Sequence, residues 1–221
     1  MWYDDVEYNR YENLDGIEDK IIYYLLSENN KNEWQKKAVH EIWRLLYYNN
    51  AECLINDEKH PLPKFSDIAK LIDNNSQEQS DKRIFRAPFV EDMFTEECSQ
   101  IRIYVDGISP QNHLLGTVSI GVEVIIHNKL SNVVNNLYDE KGNIINPTEE
   151  YPLITFKNRA VALLKNIIAL LNGVDLAGVG KMTFTQENNR FCQSKLGVWN
   201  NRNYYGFRTI FSCMMSGVSQ A

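Results

Sequence analysis

The 221-residue chain has little of what secreted and membrane-spanning proteins carry. Its N-terminus lacks the basic and apolar segments of a signal peptide, and no apolar run approaches the roughly 18 residues of a membrane-spanning helix. The four cysteines are far apart and include no CxxC pair, so we expect free, buried thiols in a reducing compartment. We therefore expect a protein that is kept in a soluble compartment and has no membrane partner.

Motifs that carry chemistry are also missing. None of the four histidines has a partner at metal-ligand spacing: His40, His60, His113 and His127. We expect His40 and His60 at the surface. The glycines of residues 173–180 lie between a predicted helix and a predicted strand, which reverses the order of a phosphate-binding loop, so we expect a helix cap and a tight turn. The sequence predicts no catalytic residue, no metal site and no cofactor, and we expect a protein that is not an enzyme.

Charge is distributed unevenly along the chain. Residues 1–150 hold 27 acidic and 15 basic side chains, a net charge of −12, whereas residues 151–221 hold 2 and 8, a net charge of +6. These sum to the total of −6. An acidic protein is a poor general binder of duplex DNA, because neutralising phosphates requires a concentrated cationic face. Unlike charges in two parts of one chain favour contacts between copies.

The N-terminal part has the periodicity of helices. A capping box at residues 15–18 predicts the start of a first helix, and Asn32 predicts the cap of a second. Apolar residues recur at helical spacing in both, and Arg44 falls on the polar side of the second helix. Because the connection between the helices is short, we predict an antiparallel helical hairpin.

A boundary follows the hairpin. Pro61 and Pro63 end the preceding segment and permit a short third helix. The polar stretch of residues 73–80, rich in Asn, Ser and Gln, has the composition of a linker. We therefore predict a helical N-terminal region over residues 1–80 and an α+β domain over residues 81–221.

Beyond residue 100 the apolar period changes from helical to two. Residues 101–106 and 118–126 alternate as half-buried strands, and turn residues between them predict an antiparallel hairpin with a long loop. An exposed excursion, with a small hairpin at Gly142, precedes the strongest helix of the chain, at residues 160–171. Alternation returns near residues 182–184 and 207–213. The order α-α-α-β-β-α-β-β predicts an α+β fold with a mostly antiparallel sheet and one long helix packed on it.

Two groups of side chains are candidates for a subunit interface. The first group lies in the C-terminal third, where basic and aromatic residues are interspersed: Arg190, Lys195, Trp199, Arg202, Tyr204 and Arg208. The second is an acidic cluster: Glu91, Asp92, Glu96 and Glu97. Arginine, tryptophan and tyrosine dominate protein interfaces, and the cluster supplies the opposite charge. The basic group also permits an alternative function, a single-stranded nucleic-acid-binding module, and the acidic cluster permits a small hydrolase.

The segment from Arg83 to Asp92, followed by residues 101–106 and 118–124, is similar to segments of the neck and tail proteins of tailed phages. That family includes head–tail connectors, stoppers and tail terminators, and the resemblance covers residues 82–212 as a pattern. It implies a virion protein, synthesised in the host cytoplasm, that forms a homo-oligomeric ring around the DNA channel. It further implies contacts with portal, neck or tail proteins, and DNA that is enclosed without being bound specifically.

Overall fold

The computed structural model describes residues 16–73, 81–87, 97–110, 115–135, 137–138, 144–145, 155–184, 195–196 and 203–216. Four α-helices lie in these ranges: α1 (Ile17–Leu26), α2 (Glu33–Tyr47), α3 (Phe65–Ala69) and α4 (Arg159–Leu171). A short 3-10 helix (Asn128–Leu130) follows the second long strand. The strands described, in chain order, are β1 (Ile84–Phe85), β2 (Ser99–Pro110), β3 (Leu115–His127), β4 (Asn132–Asn135), β5 (Leu137–Tyr138), β6 (Ile144–Ile145), β7 (Thr155–Asn158), β8 (Asp175–Leu176), β9 (Gly180–Lys181), β10 (Lys195–Leu196) and β11 (Tyr204–Ser216). The predicted α+β class is confirmed.

The central sheet has the strand order β1-β2-β3-β11-β10. Its three long strands are antiparallel, as predicted for β2 and β3, and β1 adds in parallel to the edge of β2. The predicted loop between β2 and β3 is shorter than expected, because β2 continues to Pro110 after a shift in register between Val105 and Gly107. Such a bulge accommodates an extra residue in one strand, so the turn-forming residues at this point stay within the ladder.

Three small antiparallel ribbons surround the sheet. The strand β4 pairs with β7, and between them β5 pairs with β6 across the segment that contains Gly142, which confirms the small hairpin predicted there. The strand β8 pairs with β9 through a turn in which Gly178 has a φ of 74°. Gly173, after the end of α4, has a φ of 82°, as a left-handed helix cap requires. The predicted strand at residues 182–184 is reduced to β9 and a single bridge from Thr183 to β11.

The helix starts differ from one another. Asn32 caps α2 in a complete capping box with Gln35, as predicted. The capping box predicted for α1 is wrong, because its cap is Gly16, in the left-handed conformation and without a side-chain hydrogen bond. Glu18, the expected second member of that box, instead accepts a hydrogen bond from the backbone N–H of Val105 at 3.3 Å. A long-range contact between α1 and β2 has therefore replaced a local one.

The helices pack on one face of the sheet. The helix α1 contacts β2, α2 contacts α4, and α4 contacts β3 and β11. One apolar cluster joins residues of α1, α2 and α4 to the inward-facing positions of the long strands. The division at residue 80 stays a prediction, although this cluster contains residues from both sides of it. Among the described helices none has the length and apolar character needed to cross a membrane.

Candidate functional site

Three charged side chains lie side by side across the middle of the sheet. Arg102 in β2 and Arg208 in β11 are both direct register neighbours of Glu123 in β3. The side chain of Arg102 is fully buried, and Glu123 is only 4% exposed. Opposite charges placed directly across neighbouring strands stabilise their pairing. We call these three residues the charged rung.

Further polar groups complete the charged rung. The Tyr104 hydroxyl donates a 2.6 Å hydrogen bond to Glu123 Oε1. Arg208 Nε lies 3.9 Å from that same oxygen, and Arg208 Nη2 is paired with the carboxylate of Asp106. Two guanidinium groups thus face two carboxylates, so the local charges balance. Burying a charge costs several kcal/mol, and the attraction between these opposite charges offsets part of that cost.

Aromatic rings cover parts of the charged rung. The guanidinium carbon of Arg102 lies 4.9 Å from the centre of the Phe85 ring, which β1 places beside it in register. The ring of Tyr104 lies over Gly121, where an added Cβ would be 2.7 Å from the ring. Glycine is therefore needed at this position for Tyr104 to reach Glu123.

Burial shifts the pKa values of Arg102 and Tyr104 in opposite directions. It lowers the pKa of Arg102 to about 10. Burial, reinforced by the hydrogen bond to Glu123, raises the pKa of Tyr104 far above its ordinary value. Tyr104 therefore remains a protonated donor and Arg102 remains a cation at neutral pH. This arrangement fixes strand register and holds its charges in place.

Four of the ten predicted interface residues fall in the described part of the chain. Arg208 is directed toward Asp106, Tyr204 is 8% exposed with its ring edge against His127, and Glu97 is exposed and paired with Lys129. Lys195 lies in β10, in register with Phe207. The other six lie outside the described residues: Glu91, Asp92, Glu96, Arg190, Trp199 and Arg202. Their assignment to a subunit interface stays a prediction.

A second polar cluster anchors the loop after α2. Arg44 of α2 donates from Nη1 to the carbonyls of Ile55 and His60, at 3.0 and 2.7 Å. From α4, Arg159 donates from Nη2 to the carbonyls of Tyr48 and Asn50, at 2.7 and 3.0 Å. Both arginines are buried, and the loop covers Arg44 although it lies on the side of α2 that carries Lys37 and Glu41. Helical periodicity could not show that Arg44 is buried, because the groups that accept its hydrogen bonds are carbonyls of the loop.

The ring of His60 closes the same loop. The ring nitrogens lie 2.9 Å from Asp57 Oδ1 and 2.8 Å from Asn50 Nδ2. Because an amide nitrogen only donates, Nε2 accepts from Asn50 and Nδ1 carries the proton toward Asp57. His60 is buried, so its predicted surface position is wrong. The Asp-x-x-His spacing was visible in the sequence, whereas the burial depends on the loop folding back onto Arg44.

This cluster lacks the properties of a nucleophilic site. Cys53 is fully buried, and Arg159 Nη2 lies 2.9 Å from its sulfur. Burial raises the pKa of the Cys53 thiol, against the opposing effect of the guanidinium group, so the thiol is protonated at neutral pH. Within the described ranges, no group of three His, Cys, Asp or Glu side chains is arranged to hold a metal ion. The cluster ties the loop to two helices.

Comparison with known proteins yields one family. The YomW family, which derives from phages related to Bacillus phage SPbeta, has a model that matches residues 40–213. No curated protein and no solved structure matches the chain. The matched range contains Arg44, Arg159 and the charged rung, and it covers most of the chain. The predicted phage origin is thereby confirmed, and a neck or tail position stays a prediction. The chain belongs to the YomW family.

Proposed function

We propose that the protein is a non-enzymatic structural component of a phage particle that assembles with copies of itself into a ring, in the neck between portal and tail. Membership of a phage-derived family over residues 40–213 is the observation that carries the proposal. The pattern similarity to neck and tail proteins supports the more specific position. In this role the protein encloses DNA without binding a particular sequence and contacts portal, neck or tail proteins.

The charge distribution supports self-assembly. A ring is built from heterologous contacts, in which two different patches of one subunit meet on successive copies. An acidic part of −12 and a basic part of +6 provide such a pair. Within one copy, Arg208 of the basic part already pairs with Asp106 of the acidic part. Among the described residues, the exposed lysines Lys157, Lys165 and Lys181 have no carboxylate within ion-pair distance, so they remain available to another copy.

Purified particles test the proposal. Quantitative mass spectrometry of gradient-purified virions should detect the protein at a constant number of copies per particle, with a host cytoplasmic protein as the contamination control. Gold-labelled antibodies should then mark one vertex or the tail junction in negative-stain images. A protein found in infected cells and missing from purified particles would overturn the proposal. Label at the distal end of the tail would refute only the neck position.

A further inference from the structure

One edge of a buried guanidinium group has donors without an acceptor. Arg159 is the first residue of α4, and it is fully buried. Its Nη2 donates to the carbonyls of Tyr48 and Asn50 and lies 2.9 Å from Cys53 Sγ. Its Nε and Nη1 are also buried, but neither atom has a hydrogen-bond partner within the described ranges. Because buried polar groups are nearly always hydrogen-bonded, this edge of Arg159 indicates a ligand that accepts from it.

The positive charge of Arg159 is not balanced by a carboxylate. In the part of the chain that the structure describes, Arg159 forms no ion pair. The Cys53 thiol contacts the guanidinium group, but burial raises the pKa of this thiol, so it is neutral at neutral pH. A buried cation without a counter-charge is strongly unfavourable. An acceptor that also carries negative charge therefore stabilises the folded chain more than a neutral acceptor does.

Two neighbouring features add positive potential. Arg44 places a second buried cation against the same loop, and it too forms no ion pair among the described residues. The first turn of α4 contains no acidic residue, although the N-terminus of a helix is the positive end of its dipole. The acidic residues of the loop after α2 are exposed to solvent: Glu52, Asp57 and Glu58. The interior between this loop and α4 therefore carries an excess of positive charge.

We propose that Nε and Nη1 of Arg159 bind one small inorganic anion of the size of chloride, enclosed between α4 and the loop after α2. These two nitrogens form an edge of the guanidinium group with which arginine binds anions through paired N–H groups. A halide suits this position better than phosphate, because each phosphate oxygen left without a donor in a buried site is unfavourable. The ion strengthens the attachment of the loop to α4. The inference is independent of the proposed function.

The loop that covers Arg159 lies at the surface of the protein. Residues 49–52 are exposed, whereas Cys53 and Arg159 are buried. Local opening of a surface loop costs less free energy than global unfolding, so a single ion exchanges with solvent while the sheet stays folded. A peptide or an oligonucleotide is too large to reach the enclosed edge in this way.

Thermal unfolding at constant ionic strength tests the proposal. Sodium gluconate, whose anion is too large for the site, is replaced stepwise by sodium chloride in dilute samples of the full chain. Only the folded chain contains the site, so its stability rises with the chloride concentration. For a chain of this length, each tenfold increase above the Kd should raise the Tm by about 3–6 °C. A natural chain whose Tm does not depend on chloride would overturn the inference.

The substitution Arg159→Lys separates anion binding from the attachment of the loop. Lysine keeps the positive charge and can donate to the carbonyls of Tyr48 and Asn50, but it lacks the edge formed by Nε and Nη1. The Tm of this variant should no longer rise specifically with chloride. Arg86→Lys is the matched control, because Arg86 is exposed and paired with Asp19, and it should retain the full shift. An equal shift for Arg159→Lys and the natural chain would contradict the proposed site.

Bromide locates the ion directly, because it replaces chloride and scatters X-rays anomalously. Crystals of the natural chain in sodium bromide should show an anomalous peak in contact with Nε and Nη1 of Arg159. Ordered water at both nitrogens without such a peak would overturn the inference, even if Arg159→Lys does not fold. A peak at this position without a bromide-dependent rise in Tm would mean an adventitious ion only, which also contradicts the inference. A larger shift with phosphate than with chloride, lost in Arg159→Lys, would overturn the assignment to a halide.

Discussion

The helices α2 and α4 pack against each other and have the same inner design, but their outer sides differ. Both begin at an asparagine cap, and each contributes one buried arginine to the loop after α2. The outer side of α2 carries Glu33, Lys36 and Lys37, with a salt bridge between the first two. The outer side of α4 has Lys165 as its single charge. Packing within the fold determines which residues lie on the inner sides, whereas the residues on the outer sides depend on the surroundings of each helix.

Removing each buried arginine tests whether the two helices hold the loop in the same way. Replacing Arg159 by methionine leaves the carbonyls of Tyr48 and Asn50 without donors, and unsatisfied buried groups cost about 1–3 kcal/mol each. We expect Arg159→Met to lower the free energy of unfolding by about 3 kcal/mol. Arg44→Met should cost about 2 kcal/mol, because Arg44 is 7% exposed whereas Arg159 is fully buried. Urea denaturation measures both values.

The exposed Lys20→Met on α1 is the control for these arginine substitutions, and surface changes of this kind fall within about 0.5 kcal/mol. An unchanged unfolding midpoint for Arg159→Met would show that water replaces the lost donors. The interpretation that Arg44 and Arg159 anchor the loop to both helices would then be wrong. Equal losses of unfolding free energy for Arg44→Met and Arg159→Met would contradict only the expected difference between the two arginines.

The cap residues of α2 and α4 differ in their hydrogen bonds. Asn32 accepts from Gln35 N–H and the Gln35 side chain accepts from Asn32 N–H, both at 3.0 Å. Asn158 Oδ1 accepts from the Val161 N–H and, at 3.3 Å, from the Tyr205 hydroxyl. Replacing either asparagine by alanine should cost about 1 kcal/mol. Gln35→Ala should cost a few tenths of that amount, and Val161→Ala should leave the α4 cap intact.

Thermal unfolding followed by circular dichroism measures these cap effects as shifts in Tm. The samples should be dilute enough that self-association does not contribute. A loss for Asn158→Ala well below that for Asn32→Ala would mean that the start of α4 is held mainly by Arg159 and by its apolar packing.

Local patterns in the sequence predicted the helices and strands, whereas the features that were not predicted depend on long-range contacts. The cap at Asn32 and the alternation of residues 101–106 depend on near neighbours, so both were predictable. The charged rung was not, because alternation assigns Arg102 to the polar side of its strand and cannot show that this side is buried. Only the register of three strands places Arg102 and Arg208 on either side of Glu123.

The loop after α2 shows the same limit. Periodicity assigned Arg44 to the polar side of α2, His60 was expected at the surface, and no local pattern indicated that either residue is buried. Their partners are carbonyl and amide groups of residues 50–60, which become neighbours only after the loop folds back. The exposed side of α4, at Val161, Lys165 and Ala169, was not predicted for a related reason: a mostly apolar helix indicates burial and does not show which side the fold leaves uncovered.

A further difference between the helices concerns the burial of charge at their ends. The hairpin of α1 and α2 buries a cation, since Lys31 Nζ donates to the carbonyls of Tyr24 and Ser27 at 2.5 and 2.7 Å. The end of α4 has no such cation among the described residues, and the backbone N–H of Gly173 binds the Met182 carbonyl there. Burial lowers the pKa of Lys31 from 10.5 to about 8.

Between these two pKa values the unfolded chain binds more protons at Lys31 than the folded chain does. The contribution of Lys31 to stability should therefore rise as the pH increases from about 8 to 10.5, and stay constant below that window. The difference in unfolding free energy between the natural chain and Lys31→Met isolates this contribution, because other titrating groups cancel. Parallel curves for the two chains across the window would mean that the ammonium group remains as well solvated in the folded state as in the unfolded one. The hairpin turn would then differ from the end of α4 in its hydrogen bonds alone.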